Sequence, residues 1–579
     1  GPLAAPLTRP GTMLIMPDIR PSAPARPVRG LADSYVEALA DLDPFLATQL
    51  GIRPGDDRLP DLSPAGQQAR DDLARSTLAA VQALTAAADG EERRCARLLT
   101  ERLESGLDDS AAGEHLSDVS TLFSPVQAVR GVFLLMPAST PDDWAVICRR
   151  MARVPQALTE YRYSLSEGLR RGLVAAPRQV RTVTAQLADW LAVSGRAGWF
   201  AAFAAGAEVP AALRADLDAA AAAAAAACAA LREWLTSEYL PRSEGTPDGV
   251  GAERYQRGVR RWTGADVDLA EAYDWGWAEY RRIRQEMDTE ARHVLPGAAP
   301  LEAMRYLDEH SPAVDGVEQV RQRLQRMLDD AVTDLDGTHF DLAAPLRNVE
   351  AMIAPVGSAA APYYSAPSQD FSRPGRTWLP TLGQTRFPVW SLYSVWYHEG
   401  VPGHHLQLGQ WTYLAGDLSV FQTGVGKVSA CLEGWALYAE RLMDELGYLR
   451  PAGARLGYLD AQMMRAIRVI VDIGMHLGLA IPADSPLGAG QAWSAGLAGE
   501  FFRAHSGRDA AFIDSEIVRY LGAPGQAISY KLGERAWLAG RAAASAARGP
   551  AFDLKAWHMA ALSLGSLGLD DLTDELARL

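Results

Sequence analysis

Lysine is almost missing from this 579-residue chain: Lys427, Lys531 and Lys555 are the only ones among 56 basic residues. With so much Ala, Gly and Arg, that scarcity reads as the codon bias of a GC-rich genome and not as function. The basic residues are outnumbered by 71 acidic ones, so the net charge is −15. No dense Lys/Arg stripe overrides that balance, and a nucleic-acid partner is not expected. Cysteine is as sparse. Cys95, Cys148, Cys228 and Cys431 lie far apart and form no Cys-x-x-Cys pair, which points to reduced thiols in a cytoplasmic protein. No uninterrupted apolar run reaches membrane-spanning length except by counting alanines. The alanine run at 219–227 has charged flanks that suit a soluble helix, so no membrane span is expected.

What is present is enough for a large core. Hydrophobic residues make up 48% of the chain and charged residues 22%, the balance of a soluble globular protein with more than one lobe. The opening "GPLAAPLTRPGTM" resembles a protease-cleavage scar and linker, which would put the native start at Met13, and residues 1–28 are expected to be flexible. Apolar residues at three- and four-residue intervals then predict helices over 30–52, 68–105, 145–171 and 178–204. A single long helix is expected over 206–240, stopped by Pro241. The Ser311-Pro312 pair is read as the start signal of another helix. Between about 337 and 392 the helical period disappears into Pro, Gly, Ser and aromatic residues, with "APYYSAP" and "RTWLPT" as strand candidates. Helix returns at Ser391. The expectation is a mainly α protein, with an N-terminal helical lobe over 29–336, a catalytic lobe over 337–579, and a small β element directly before a histidine cluster. An edge strand in that position could pair with an extended peptide.

The cluster is "YHEGVPGHHLQ", Tyr397 to Gln407. It begins like the His-Glu-x-x-His signature of zinc hydrolases, in which two histidines four residues apart share a helix face. Here the second histidine is displaced. In an unbroken helix His404 would point elsewhere, and His405 would lie about 10 Å along the axis, too far for one ion. Pro402 and Gly403 are the residues to break the helix. A two-residue excursion over Gly400–Gly403 would return His404 to the ligand position beside His398. His405 stays open as the alternative ligand, or as a supporting or substrate-contacting residue. Glu399 follows His398, where a hydrolase keeps the carboxylate that takes a proton from water.

A third ligand should come from the amphipathic stretch 427–446, where Glu433 and Glu440 share a face; Glu433 is the candidate. Further along, Asp472 and His476 stand four apart. His476 either binds a substrate carboxylate or satisfies a core hydrogen bond. Tyr530, after a Pro-Gly turn, is either an amphipathic core residue or a donor to the oxyanion of an attacked carbonyl.

Taken in order, "YHEGVPGHHLQ", "EGWALYAERL", "RVIVDIGMH" and "APGQAISYKLG" resemble the bacterial family called domain of unknown function 885. "DPFLATQLGIRPGDDRLPDLSPAG" and "SRPGRTWLPT" extend the likeness over roughly residues 30 to 575. Members look like relatives of gluzincin-type helical zinc metallopeptidases. That likeness implies a large helical zincin-like fold, His398, His404 and Glu433 as ligands of Zn²⁺, Glu399 as general base, and Tyr530 as oxyanion donor. In the mechanism expected from these residues, His476 is a further candidate to stabilise the oxyanion. Mn²⁺ and Fe²⁺ also suit two histidines and a carboxylate. The expected activity is metal-dependent hydrolysis of an amide in a peptide or small molecule. The alternatives are an amide hydrolase dedicated to one specialised biosynthetic pathway, and a non-catalytic metal-binding protein that retains the fold.

Overall fold

Proline and capping residues, more than periodicity, decide where the helices of this chain begin. Pro27, Pro44, Pro125, Pro141, Pro177 and Pro300 each occupy the first turn of a helix, where a missing N–H costs nothing. In the computed structural model, residues 26–85, 90–193, 195–355 and 361–579 are described; the expectations for the opening segment lie almost wholly outside them. The stretches expected as single helices are consequently split. Residues 30–52 divide at Asp43, whose carboxylate accepts the N–H groups of Phe45 and Leu46 and so starts Pro44–Leu50. The 68–105 stretch falls into Pro64–Thr85 and Gly90–Ala112, 145–171 into Pro141–Met151 and Val154–Arg171, and 178–204 into Pro177–Trp190 and Trp199–Ala205.

Two boundaries correct the expectation outright. The long helix begins at Ala211, and Pro241 does not stop it. Its last turn widens into a π-turn over Leu235–Tyr239 and continues as Leu240–Ser243, with the proline in the first turn of that segment. After Ser311-Pro312 the chain first makes a strand, β1 (Ala313–Asp315), and the helix starts only at Val317. Propensity signals missed β1 because its partner lies some seventy residues on.

The protein is mainly helical. A three-stranded sheet runs β2 (Val349–Ile353), β4 (Gly375–Leu379), β3 (Tyr363–Ser365), parallel for the first pair and antiparallel for the second, with Tyr364 opposite Thr377. A second pair joins β1 to β5 (Arg386–Pro388). β3 and β4 fall on the two expected strand stretches. β3 is an edge, with no strand on its other side among the described residues.

The hydrophobic cores cut across the expected lobe boundary at 336. One cluster takes residues from 119 to 239. The other joins residues 28–103 and 255–335 to the whole C-terminal part, around Trp396, Trp435 and Trp537. Within it, five helices carry the residues of interest: Leu392–Glu399, His404–Tyr413, Ser429–Glu445, Ala454–Leu477 and Ser529–Arg548. Ser429–Glu445 and Ser529–Arg548 touch through Gly434 and Gly533. A Cβ on either would run into the other's backbone, so both glycines allow an approach that no larger side chain would. No helix among the described residues is long and apolar enough to cross a membrane. The four cysteines are buried and unbonded.

Candidate metal centre

The histidine motif begins on a helix that ends at Glu399 and resumes at His404. Between them Gly400 (φ −97°, ψ −120°), a cis Val401-Pro402 bond and Gly403 (φ −72°, ψ −127°) make a tight detour. The Gly403 N–H donates to Tyr397 O at 3.0 Å, and the His405 N–H to Gly400 O at 3.1 Å. The indole of Trp435 donates to the carbonyls of Pro402 and Gly403, both at 3.0 Å. A Cβ on Gly403 would collide with the carbonyl oxygen of His398. The glycine is therefore required by space, and the detour is fastened from the neighbouring glutamate helix.

The detour brings His398 and His404 face to edge, with ring centroids 4.9 Å apart. Glu433, on that neighbouring helix, closes the triangle. Its Oε2 lies 3.3 Å from His398 Nε2 and 3.6 Å from His404 Nε2, and one ligand atom from each of the three falls within 4.8 Å of the others. Ligand atoms about 2.0–2.2 Å from a tetrahedral Zn²⁺ stand roughly 3.3–3.6 Å apart, a spacing that the two edges from Glu433 meet. Glu433 Oε2 is buried and has no hydrogen-bond partner among the described residues, an expensive arrangement unless something positive satisfies it. Burial alone would raise the Glu433 carboxyl; the two imidazoles outweigh it and hold the group well below the usual carboxylate range.

His398 is oriented from behind. Its Nδ1–H donates to Glu440 Oε1 at 2.7 Å, leaving the Nε2 lone pair for the triangle. Glu440 is fully buried, accepts the Ser394 hydroxyl on its other oxygen, and lies 3.3 Å from Arg465. Burial would raise this carboxyl too, but Arg465, His398 and Ser394 together lower it. Glu399 projects beside the triangle, its Oε1 3.9 Å from His398 Nε2. Here burial dominates and pushes the pKa up against the pull of His398 and His404. A carboxylate so raised is better placed to take a proton and give it back near neutral pH.

His398, Glu399, His404 and Glu433 line a cavity of about 1310 Å³, together with Thr121, Leu122, Thr182 and Gln186 from the stretch that carries the smaller core and with Arg465, Arg468 and Tyr530. Tyr530 begins the helix Ser529–Arg548 and makes no hydrogen bond through its hydroxyl among the described residues. The guanidinium of Arg468 lies over its ring at 4.8 Å.

Two candidates are placed elsewhere. His476 does not line the cavity. Its Nε2–H donates to Tyr520 O at 3.1 Å, Nδ1 accepts the Val250 N–H at 3.3 Å, and the ring stacks on Tyr255. Burial pushes it down to about pKa 4. It is a neutral core histidine, and the oxyanion role expected for it is withdrawn. His405 turns away from the triangle: Nε2–H donates to Leu346 O at 2.8 Å, and Nδ1 accepts the Tyr364 hydroxyl at 2.9 Å. It ties the edge strand β3 to the helix His404–Tyr413 and is not among the residues that line the cavity. Glu440 and the arginines carry roles that the sequence reading did not assign. Their signals were there, in the seven-residue spacing from Glu433 and in two arginines three apart on the otherwise apolar "RAIRVIV".

The family model described as Bacterial protein of unknown function (DUF885) matches residues 44–576. Among solved structures, one described as a "putative lipoprotein" from Colwellia psychrerythraea superposes with a TM-score of 0.81 at 20% identity, covering 95% of this chain and 98% of that one. A second, described as a "putative lipoprotein of unknown function" from Shewanella oneidensis, does so with 0.73 at 18% identity, covering 94% and 99%. At these identities the likeness is one of fold. No curated protein matches the chain.

Proposed function

We propose that this chain, which belongs to the bacterial DUF885 family, is a metal-dependent hydrolase that cleaves an amide bond, with Zn²⁺ as the preferred ion and a zincin-like catalytic lobe. The observation that carries the proposal is the triangle of His398, His404 and Glu433, with two buried histidines, a carboxylate oxygen that has no hydrogen-bond partner among the described residues at its third corner, and Glu399 at its edge. A divalent ion held there supplies Lewis acidity, making water nucleophilic near neutral pH and polarising a carbonyl.

The chain's own residues do the rest. Glu399 accepts a proton from the attacking water as its oxygen bonds to the carbonyl carbon. It then delivers that proton to the amide nitrogen as the C–N bond breaks, giving a carboxylic acid and an amine. Glu440 holds His398 in the tautomer that turns Nε2 to the site. The Tyr530 hydroxyl donates to the oxygen that gains charge. β3 offers a free edge at the cavity, with Tyr363 and Tyr364 among its lining residues, on which an extended substrate can lie.

The test is metal analysis of protein purified without chelator, combined with turnover of peptides by the parent and by Glu399→Gln. One metal per chain is expected in both, with turnover lost by about 10²–10⁴-fold in the variant, the usual contribution of a positioned base. Absence of bound metal, or full turnover by Glu399→Gln, would remove the proposal.

A further inference from the structure

Beyond the triangle, the cavity is lined by guanidinium groups that the hydrolytic step does not use, beside the carboxylate of Glu516 that two of them share. Arg465 and Arg468 are one turn apart on the helix Ala454–Leu477 and both line the cavity. Arg465 is neutralised by Glu440. Arg468 is not neutralised so fully. It gives Nη2 to Glu516 at 2.8 Å and Nε to the Tyr520 hydroxyl at 2.9 Å. Arg519 takes the same Glu516 in a two-bond fork at 3.0 and 2.7 Å. Two guanidiniums thus share one carboxylate. Arg468 Nη1 has no hydrogen-bond partner among the described residues, although the side chain is only 7% exposed. This half-shared guanidinium lies over the ring of Tyr530 and lines the cavity, where a further anion would complete its pairing.

The position of that charge decides what anion it fits. Arg465 approaches the back of His398, Nη2 to Nδ1 at 3.5 Å. Arg468 stands one helical turn further, a step of about 5–6 Å between Cβ atoms. An extended polypeptide advances about 3.3–3.6 Å per residue. Arg468 lines the same cavity as the triangle, and one residue's advance beyond a carbonyl at the triangle is the span asked of a carboxylate that meets it. Met464, Leu392, Val395, Leu432 and Phe512 supply apolar walls for that residue's side chain.

We infer that Arg468, backed by Arg519 and Glu516, is a carboxylate anchor, and that the substrate carries a free carboxylate one residue beyond the cleaved amide. The chemistry is shared by the C-terminal residue of a peptide and by an N-acylated amino acid. The inference rests on the amide-hydrolase reading for its register, but the anchor can be tested without turnover.

The probes are N-acetyl-phenylalanine and its primary amide, titrated calorimetrically into metal-loaded Glu399→Gln protein, so that neither is consumed. The acid should bind about 30-fold more tightly, or about 2 kcal/mol at 1.4 kcal/mol per factor of ten, as for a charge-assisted hydrogen bond. Adding Arg468→Gln should erase the difference while leaving the amide's affinity unchanged; adding Arg468→Lys, which keeps the charge and guards against a folding defect, should restore part of it. Equal affinity of acid and amide, no binding of the acid, or a preference that survives Arg468→Gln would overturn the anchor. The parent protein is then given matched peptides with free and amidated C-termini. Equal cleavage of both overturns the anchor and leaves the hydrolase reading standing. Acid-selective binding with no turnover of either peptide supports the anchor and sinks the hydrolase reading instead. Tighter binding of a tripeptide acid than of N-acetyl-phenylalanine identifies the peptide source, and the reverse identifies the acylated amino acid.

Discussion

Replacing Glu440 by Gln tests how the centre is held together, because this carboxylate touches no cavity yet supports two functions at once. It is wholly buried and makes three contacts: His398 Nδ1 at 2.7 Å, the Ser394 hydroxyl, and Arg465 at 3.3 Å. Gln can still accept the imidazole N–H, but it no longer raises the basicity of His398 and no longer neutralises Arg465. Loss of such an outer partner costs about 10–100-fold in metal affinity, or about 1.4–2.8 kcal/mol. Stranding the buried Arg465 charge destabilises the fold by a further ~3–5 kcal/mol. The two effects separate in a double-mutant cycle. Arg465→Gln added to Glu440→Gln should recover most of the stability, since no charge is then left unpaired, while metal affinity stays low. Chelator competition reads the first quantity, and urea unfolding of the metal-free protein the second. Unchanged metal affinity in Glu440→Gln, or affinity regained in the double variant, would refute the reasoning that Glu440 acts through His398.

Two further outcomes follow from the same geometry. Gly403→Ala must push the new methyl against the His398 carbonyl, so the detour shifts and metal affinity should fall at least about tenfold by chelator competition; normal binding would show that the turn is not what aligns the histidines. Asp472 accepts the Tyr255 hydroxyl at 2.8 Å and the Gly525 N–H at 3.1 Å, and burial raises its pKa to about 7 despite them. A raised carboxyl binds more protons folded than unfolded, so it favours the native state at low pH and loses that contribution as pH rises toward and through 7. Between pH 5 and 8 the native protein should lose about 2–3 kcal/mol from this group, a loss that Asp472→Asn should remove. Parallel stability–pH profiles for the two proteins would contradict it.

Much of the site was legible because its residues are close in sequence and their chemistry is narrow. Three histidines and a glutamate around a Pro-Gly pair announce both a candidate metal and a helix that must break, and the amphipathic helix that follows offered only two inward carboxylates. The strands β3 and β4 were readable from aromatic and β-branched runs between turn residues. What escaped was non-local. β1 is a strand because β5 pairs with it, Pro241 is tolerated because the helix before it widens, and the core that joins residues 28–103 to the C-terminal helices leaves no mark on local periodicity.

Sequence alone determined that the chain is mainly helical, where its helices may start, and that His398, Glu399, His404 and Glu433 were the residues to watch, since backbone sterics and donor chemistry are local properties. Only tertiary structure chose between equivalent side chains. His404 and His405 are neighbours of one type, and the detour fastened by Trp435 turns the first to Glu433 and the second to Leu346 and Tyr364. His476 and Arg468 sit on one apolar helix, and packing buries the histidine among core acceptors while it opens the arginine to the cavity. Which face of a helix meets which neighbour depends on contacts hundreds of residues apart, and that decision is made by the folded core.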